Sequence, residues 1–440
     1  MNKISPAVSV IIPVYNAEVY FSDIIKKVIN QTLSNIEIIV IDDCSTDNTY
    51  DLICKYSASD SRVTVLKNEK NSGAGVSRNK GLLVASGEYV IFLDDDDFVE
   101  EDMLEKLFIT ASEHKTDVVV FRSQFSDWHT KAPTNTPWTI REDLLPSADV
   151  FSAEQIQHDF FRAFVWWPWD KFYNREHLLA TGIFFQEIRT SNDLYFTASQ
   201  MLLANRIAIF PEILIHHSIS REASLENTRE RSWQCALEAL TELRHFLNDR
   251  SLYSSRGKDF KNYCLSFLKW NIDTLSGQSY FDFFDGARKF IISCDINVSD
   301  IYEDELSFFY EDMMKSSPQE YVFKVRNILF SRCRYVEAEW NDAKFQLEIA
   351  NENVAIANKN VEIANENIEN KKDELTAHKK LLETLNSEYA VVKNALGSER
   401  RQNSLLNDQV EDLKVKINEI EQSKSWRYTR ILRCLIQIFR

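Results

Sequence analysis

The chain has 440 residues, of which 44% are hydrophobic, and a formal net charge of −16. That length exceeds one typical domain and supplies apolar mass for a large core. The acidic balance argues against nucleic acid as the main partner.

Short, β-branched, apolar runs occupy residues 8–12, 36–41, 62–66, 88–93 and 117–121. They are apolar on both faces, as strands covered by helices on both sides should be. Helical patterns lie between them, at 18–30, 47–56, 74–85 and 101–114. This alternation predicts an α/β fold with a doubly wound, mostly parallel sheet. The first turn, PVYNAE, lacks G-x-G-x-x-G, which disfavours a dinucleotide-binding enzyme, and no G-x-x-x-x-G-K-[ST] occurs.

Polar groups fall at the strand ends, where ligands of such sheets bind. Tyr15 follows the first strand, Asp42 and Asp43 the second, and Arg78 and Asn79 open the helix before the fourth. A Tyr can stack on a base, an Asp can accept from a base or ribose, and an Arg can pair with phosphate. The fourth strand runs directly into Asp94, Asp95, Asp96 and Asp97. Adjacent carboxylates repel unless a cation neutralises them, and all-oxygen ligands suit Mg²⁺ or Mn²⁺, which in turn hold phosphates. A solvated acidic turn, and plain helix capping by Ser45 or Asp47, are the structural alternatives.

VSVIIPVYNAE, IIVIDDCSTDNT, NSGAGVSRNKGLLVASGEYVIFLDDDDF and the later SNDLYF together resemble the family 2 glycosyltransferases, over about residues 6–225. The resemblance implies an inverting, nucleotide-sugar-dependent, metal-dependent enzyme of the Rossmann-like type A fold. It implies that Tyr15 and Asp43 hold the nucleobase with Asp42 beside them, and that Arg78 assists the base or phosphates. Asp94 and Asp96 become the Asp-x-Asp pair for ribose and metal-diphosphate, with Asp95 on the donor side and Asp96 on the Mn²⁺ or Mg²⁺. Two positions depart from the family pattern: Cys44 stands where a Gly is usual, and Asn192 where a Glu commonly precedes the catalytic Asp.

Inverting transfer needs a general base for the acceptor hydroxyl, and Asp193, which opens a helix over 194–203, is the candidate. Helix capping is the alternative role for it. A strand at 213–217 leads to His216 and His217, which point to opposite faces. One of them, His217 with His216 as the alternative, is a candidate for the metal shell, and Arg221 for a phosphate clamp. Trp166, Trp167 and Trp169 form an aromatic group that either stacks on acceptor sugars or builds a core wall. Residues 127–146 have no clear period and read as a loop, a lid over the acceptor side.

The seven cysteines show no paired spacing, which predicts reduced thiols in a cytosolic setting. No signal-peptide pattern and no apolar run of about 18 residues is present, so no membrane span is expected.

The predicted organisation is a catalytic domain at 1–228, a helical domain at 229–332, a coiled coil at 333–423 and a tail at 424–440. Helical spacing marks residues 229–247, 258–275, 280–294 and 304–314. With Trp340 at position a, a heptad register continues to Ile417 at a and Ile420 at d. Unbroken, it would form a rod of about 120 Å. β-Branched a residues and Asn403 favour a parallel dimer. Ile349, Ile356 and Ile363 add a second apolar flank that leaves a trimer open, and Lys371, His378 and Glu399 are weak d positions. The tail, with Lys424, Arg427, Arg430, Arg433 and Arg440 and no acid, reads as a basic amphipathic anchor for anionic lipid, or as a contact for a partner subunit. Its SxSWRxTxxLR pattern is similar to tails of bacterial surface-polysaccharide glycosyltransferases.

The expectation is therefore an inverting transferase that moves a sugar to a hydroxyl of a lipid-linked glycan in surface-polysaccharide synthesis. It would sit peripherally on the inner face of the cytoplasmic membrane. A catalytically degenerate coiled-coil scaffold is the alternative. A nucleotidyltransferase is disfavoured because no Gly-rich activating loop lies near the N-terminus.

Overall fold

A computed structural model describes residues 5–130, 132–219, 225–377 and 382–422. Arg221 and the basic tail lie outside the described residues. The chain divides into two compact units, Met1–Pro318 and Gln319–Arg440.

The first unit is built on one mixed sheet of ten strands among the described residues. These are β1 (Val8–Val14), β2 (Ile36–Asp42), β3 (Val63–Lys67), β4 (Tyr89–Phe92), β5 (Phe98–Val99), β6 (Val118–Asp127), β7 (Pro133–Asn135), β8 (Val150–Phe151), β9 (Lys171–Asn174) and β10 (Ile207–Ile219). Strands run in the order β3-β2-β1-β4-β9-β6-β10-β5. β3, β2, β1 and β4 are mutually parallel. Every residue of β1 and β4 is buried, because helices α1 (Phe21–Ile29), α2 (Thr49–Ser59), α3 (Ala74–Val84) and α4 (Met103–His114) flank this part of the sheet. The chain leaves β1 for β2 on one side and later returns to β4 on the other. The crevice at that reversal is where such sheets bind ligands.

In the other half the sheet is mixed: β6 and β10 are parallel to each other, but antiparallel strands lie beside them. β9 inserts antiparallel to both β4 and β6, and β5 pairs antiparallel with β10. The segment expected to be a loop continues β6 to Asp127, turns back as β7, and carries Trp138 on a short 3₁₀ turn (Pro137–Thr139).

Beyond β8 come α5 (Phe160–Ala163), α6 (Arg175–Thr181) and α7 (Asn192–Leu202), then α8 (Gln234–Asp249), α9 (Tyr253–Thr274), α10 (Gly277–Ser293) and α11 (Asp304–Lys315). The four expected helices after residue 228 are present, but they do not form a separate domain. α8 packs on α7 and α9 on α5, so the helical region belongs to the same compact unit as the sheet. Phe161, Phe260 and Tyr263 join at this seam.

In the second unit, α12 (Pro318–Ala377) and α13 (Leu382–Gln422) replace the expected single rod. Asn403 Nδ2 of α13 donates to Asn358 Oδ1 of α12, two residues nearly equidistant from the break, so the helices return on each other antiparallel. Ala350, Ala357 and Val410, all a or d residues, are buried. The seam expected to join two parallel chains is thus used within one chain. Of the weak d positions, His378 lies outside the described residues, between the end of α12 and the start of α13. Among the described residues no helix is long and apolar enough to cross a membrane.

Candidate active site

The carboxyl ends of β1, β2 and β4 bring Tyr15, Asp42–Asp43 and Asp94–Asp97 to the crevice. Tyr15 is exposed, and its N–H donates to Asp95 Oδ2 at 3.4 Å. Asp42 is buried, accepts from Ser45 N–H, and lies 3.6 Å from Lys67 Nζ. Lys67 in turn sits 3.8 Å above the Tyr50 ring.

Asp43 acts first on its own loop. Its Oδ1 accepts from Asn68 Nδ2 and Ser72 N–H, both at 2.8 Å, and its Oδ2 from Gly73 N–H at 2.7 Å. Gly73 has φ +91°, which favours glycine. A Cβ on Gly75 would collide with the Gln186 carbonyl and press on Asn192. These two glycines let the start of α3 approach the start of α7. Cys44, the departure from Gly, keeps the same kind of turn by adopting φ +63°.

That approach joins Arg78 to α7. Arg78 Nη2 lies 2.6 Å from Asp94 Oδ1, and Nη1 donates to Asn192 Oδ1 at 3.0 Å. Asn192 therefore supplies a neutral acceptor where a carboxylate was expected. Asp193 follows it in the first turn of α7, which begins two residues earlier than predicted. Burial pushes its carboxyl up, Arg78 pulls it down, and Asp94 pushes it up again. The group is thus a carboxylate of raised basicity, within electrostatic reach of both Arg78 and Asp94.

Asp94, Asp97 and His217 converge, each offering a ligand atom, with these atoms within 4.8 Å of one another. His217 Nδ1 is 2.7 Å from Asp97 Oδ1. Burial pushes Asp97 up to about 6. Burial also disfavours the His217 cation, but the Asp97 carboxylate outweighs it and lifts His217 to about 9. Asp97 Oδ2 is buried with no hydrogen-bond partner among the described residues. An orphaned carboxylate oxygen in a cluster of two acids and an imidazole fits a divalent cation.

Asp96, the expected metal ligand, acts electrostatically on His217, and its carbonyl accepts from Ser218 Oγ at 2.6 Å; the ligand atoms that converge are those of its neighbours Asp94 and Asp97 with His217. His216 points the other way, to Gln124 and Glu100, both at 2.7 Å.

The aromatic group also separates. Trp166 is core: it packs on Phe160 and Phe161, and its Nε1 donates to the Phe161 carbonyl. Trp167 and Trp169 stack at 4.5 Å, and the His217 ring stacks on Trp169 at 4.8 Å. Trp138, 42% exposed, stands edge-on to Trp167 at 5.8 Å. Only its aromatic type in the expected lid hinted at this place. Beneath them, the fully buried Lys171 Nζ bonds the carbonyls of Val165 and Trp167 and the Asp170 carboxylate. It fixes the turn that presents Trp167 and Trp169.

Residues 9–183 match the family model described as Glycosyl transferase family 2. The chain is 32% identical over 210 residues to the uncharacterized glycosyltransferase EpsJ of Bacillus subtilis (strain 168), covering 47% of this chain and 59% of that one. It is 28% identical over 265 residues to the putative glycosyltransferase EpsH of the same organism, covering 59% and 74%. The match thus spans little more than half of EpsJ. A crystal structure of S. aureus TarS 1-349 in complex with UDP aligns at 23% identity and a TM-score of 0.43, covering 65% of this chain and 88% of that one.

Proposed function

We propose that the protein is an inverting, metal-dependent glycosyltransferase that moves a sugar from a nucleotide-sugar donor to a hydroxyl of a lipid-linked glycan in bacterial surface-polysaccharide synthesis. The observation that carries this reading is the convergence of Arg78, Asp94, Asp97, His217 and Asp193 on one sheet edge. Arg78 pairs with phosphate and stabilises charge that develops on the leaving diphosphate. Asp193 takes the proton of the acceptor hydroxyl, favoured by its raised basicity. Trp138 and Trp167 offer faces for an acceptor sugar beside this base. A Mn²⁺ or Mg²⁺ ion held by Asp94, Asp97 and His217 would supply charge neutralisation to the diphosphate. The intact Arg78–Asp94 pair and Asp193 speak against a degenerate scaffold.

Calorimetric titration with a panel of nucleotide sugars tests the donor reading. One donor should bind with Mn²⁺ and lose affinity in EDTA; equal affinity in both would contradict it. The basic pattern of residues 424–440 supports work at the inner face of the membrane. Deleting them should release the chain from anionic vesicles, and undiminished co-sedimentation would contradict that location.

A further inference from the structure

Among the described residues, the hairpin leaves one face of α12 exposed. Its three successive heptads, LEIANEN, VAIANKN and VEIANEN, place Ile349, Ile356 and Ile363 at position c. Position c lies about 130° around the helix from the centre of the a/d seam. These isoleucines are 37%, 59% and 47% exposed, although Ala350 and Ala357 one residue on are only 6% exposed. A polar helix face has no use for apolar residues repeated at a strict interval of seven, whereas a helix packed in a left-handed supercoil does.

The flanking residues select the occupant. The row is bounded by Asp342 and Asn370, the c residues one heptad before and after it, so its centre is Ile356. Glu352 and Lys359 flank it at position f, and Asn353 and Asn360 at position g. If a second copy of α12 lies antiparallel with its two-fold axis at Ile356, Ile349 meets Ile363 of the copy. Glu352 then meets Lys359 twice, and Asn353 meets Asn360 twice. A parallel alignment would instead set the f flank of one copy against the g flank of the other, so that Glu352 and Lys359 face Asn353 and Asn360 and no charge pair forms. We propose that the Ile349–Ile356–Ile363 face of α12 binds a second copy of this chain, antiparallel, as an isologous two-fold contact between hairpins. Self-association then uses this face, while the a/d seam stays within each chain.

Sedimentation velocity and disulfide trapping on the full-length chain test this. The wild type should sediment as a dimer at tens of micromolar, and Ile356→Glu, which sets two carboxylates against each other at the axis, as a monomer. Ile356 is exposed within its own hairpin, so this change leaves the fold intact. Lys359→Glu alone should weaken the dimer, and adding Glu352→Lys should restore it. Under mild oxidant Ile356→Cys should form a covalent dimer above the wild-type background. Ile349→Cys should not, because the two copies of residue 349 lie two heptads apart, about 21 Å along the axis. A monomeric wild type, a dimeric Ile356→Glu, or equal trapping of both cysteine variants, as parallel pairing requires, would overturn the proposal.

Discussion

Arg78 Nη2 stands 2.6 Å from Asp94 Oδ1, an ion pair that ties the start of α3 to the end of β4. The Arg78 side chain is 7% exposed, and its Nε has no hydrogen-bond partner among the described residues. A buried guanidinium with a donor to spare is arranged for an anion that the protein alone does not supply.

The same guanidinium holds Asp193 down against burial. In the proposed role Asp193 takes a proton only when ionised, so activity should fall as pH drops through its pKa. Removing Arg78 raises that pKa. Arg78→Gln should therefore weaken donor binding and move the acid limb of kcat/KM to higher pH. A pH–rate profile with an unmoved acid limb would separate Asp193 from Arg78.

His217, at about 9, must lose its proton to ligate a metal. Binding at neutral pH therefore displaces a proton, and Mn²⁺ affinity should fall about tenfold per pH unit on acidification below about pH 9. Calorimetry in buffers of different ionisation enthalpy counts that proton. His217→Ala should lose both affinity and the pH slope.

Lys171 and Asp170 form an ion pair at 2.5 Å with neither side chain exposed beyond 1%. Burial pushes Asp170 up to about 6 and Lys171 down. Removing one partner leaves an uncompensated buried charge, so Lys171→Met should cost about 3–5 kcal/mol. Urea denaturation measures it, and a loss below about 1 kcal/mol would be ordinary for an exposed pair.

Among the described residues, Trp138 stands edge-on to Phe125 and Trp167. Trp138→Ala should raise acceptor KM roughly tenfold, the scale of one aromatic contact. Donor hydrolysis without acceptor should stay unchanged, and steady-state kinetics with varied acceptor separates the two.

The sequence makes β1, β2 and β4 legible because their residues are apolar on both faces, and the acids that follow mark the edge. β9 is hidden because it opens on Lys171, a charge that only its buried Asp170 and carbonyl partners make tolerable. Asp96 and Asp97 differ by one position in a turn, and spacing does not say which carboxylate faces His217. Three tryptophans in four residues reveal a cluster but not that Trp166 turns to the core while Trp169 turns to His217. The heptads identify a seam without naming its partner. Yet Ala350 with Val410, and Ala357 with Asn403, set a d opposite an a about one common centre at residue 380, a symmetry present in the sequence.

The central claim is that Asp193 is the base of a sugar transfer. Once the donor is identified, turnover and donor affinity of Asp193→Asn should be measured together with those of the wild type. Donor affinity should be unchanged while turnover falls by about 10²–10⁴, the usual contribution of a general base. Turnover within a few-fold of the wild type would contradict the account.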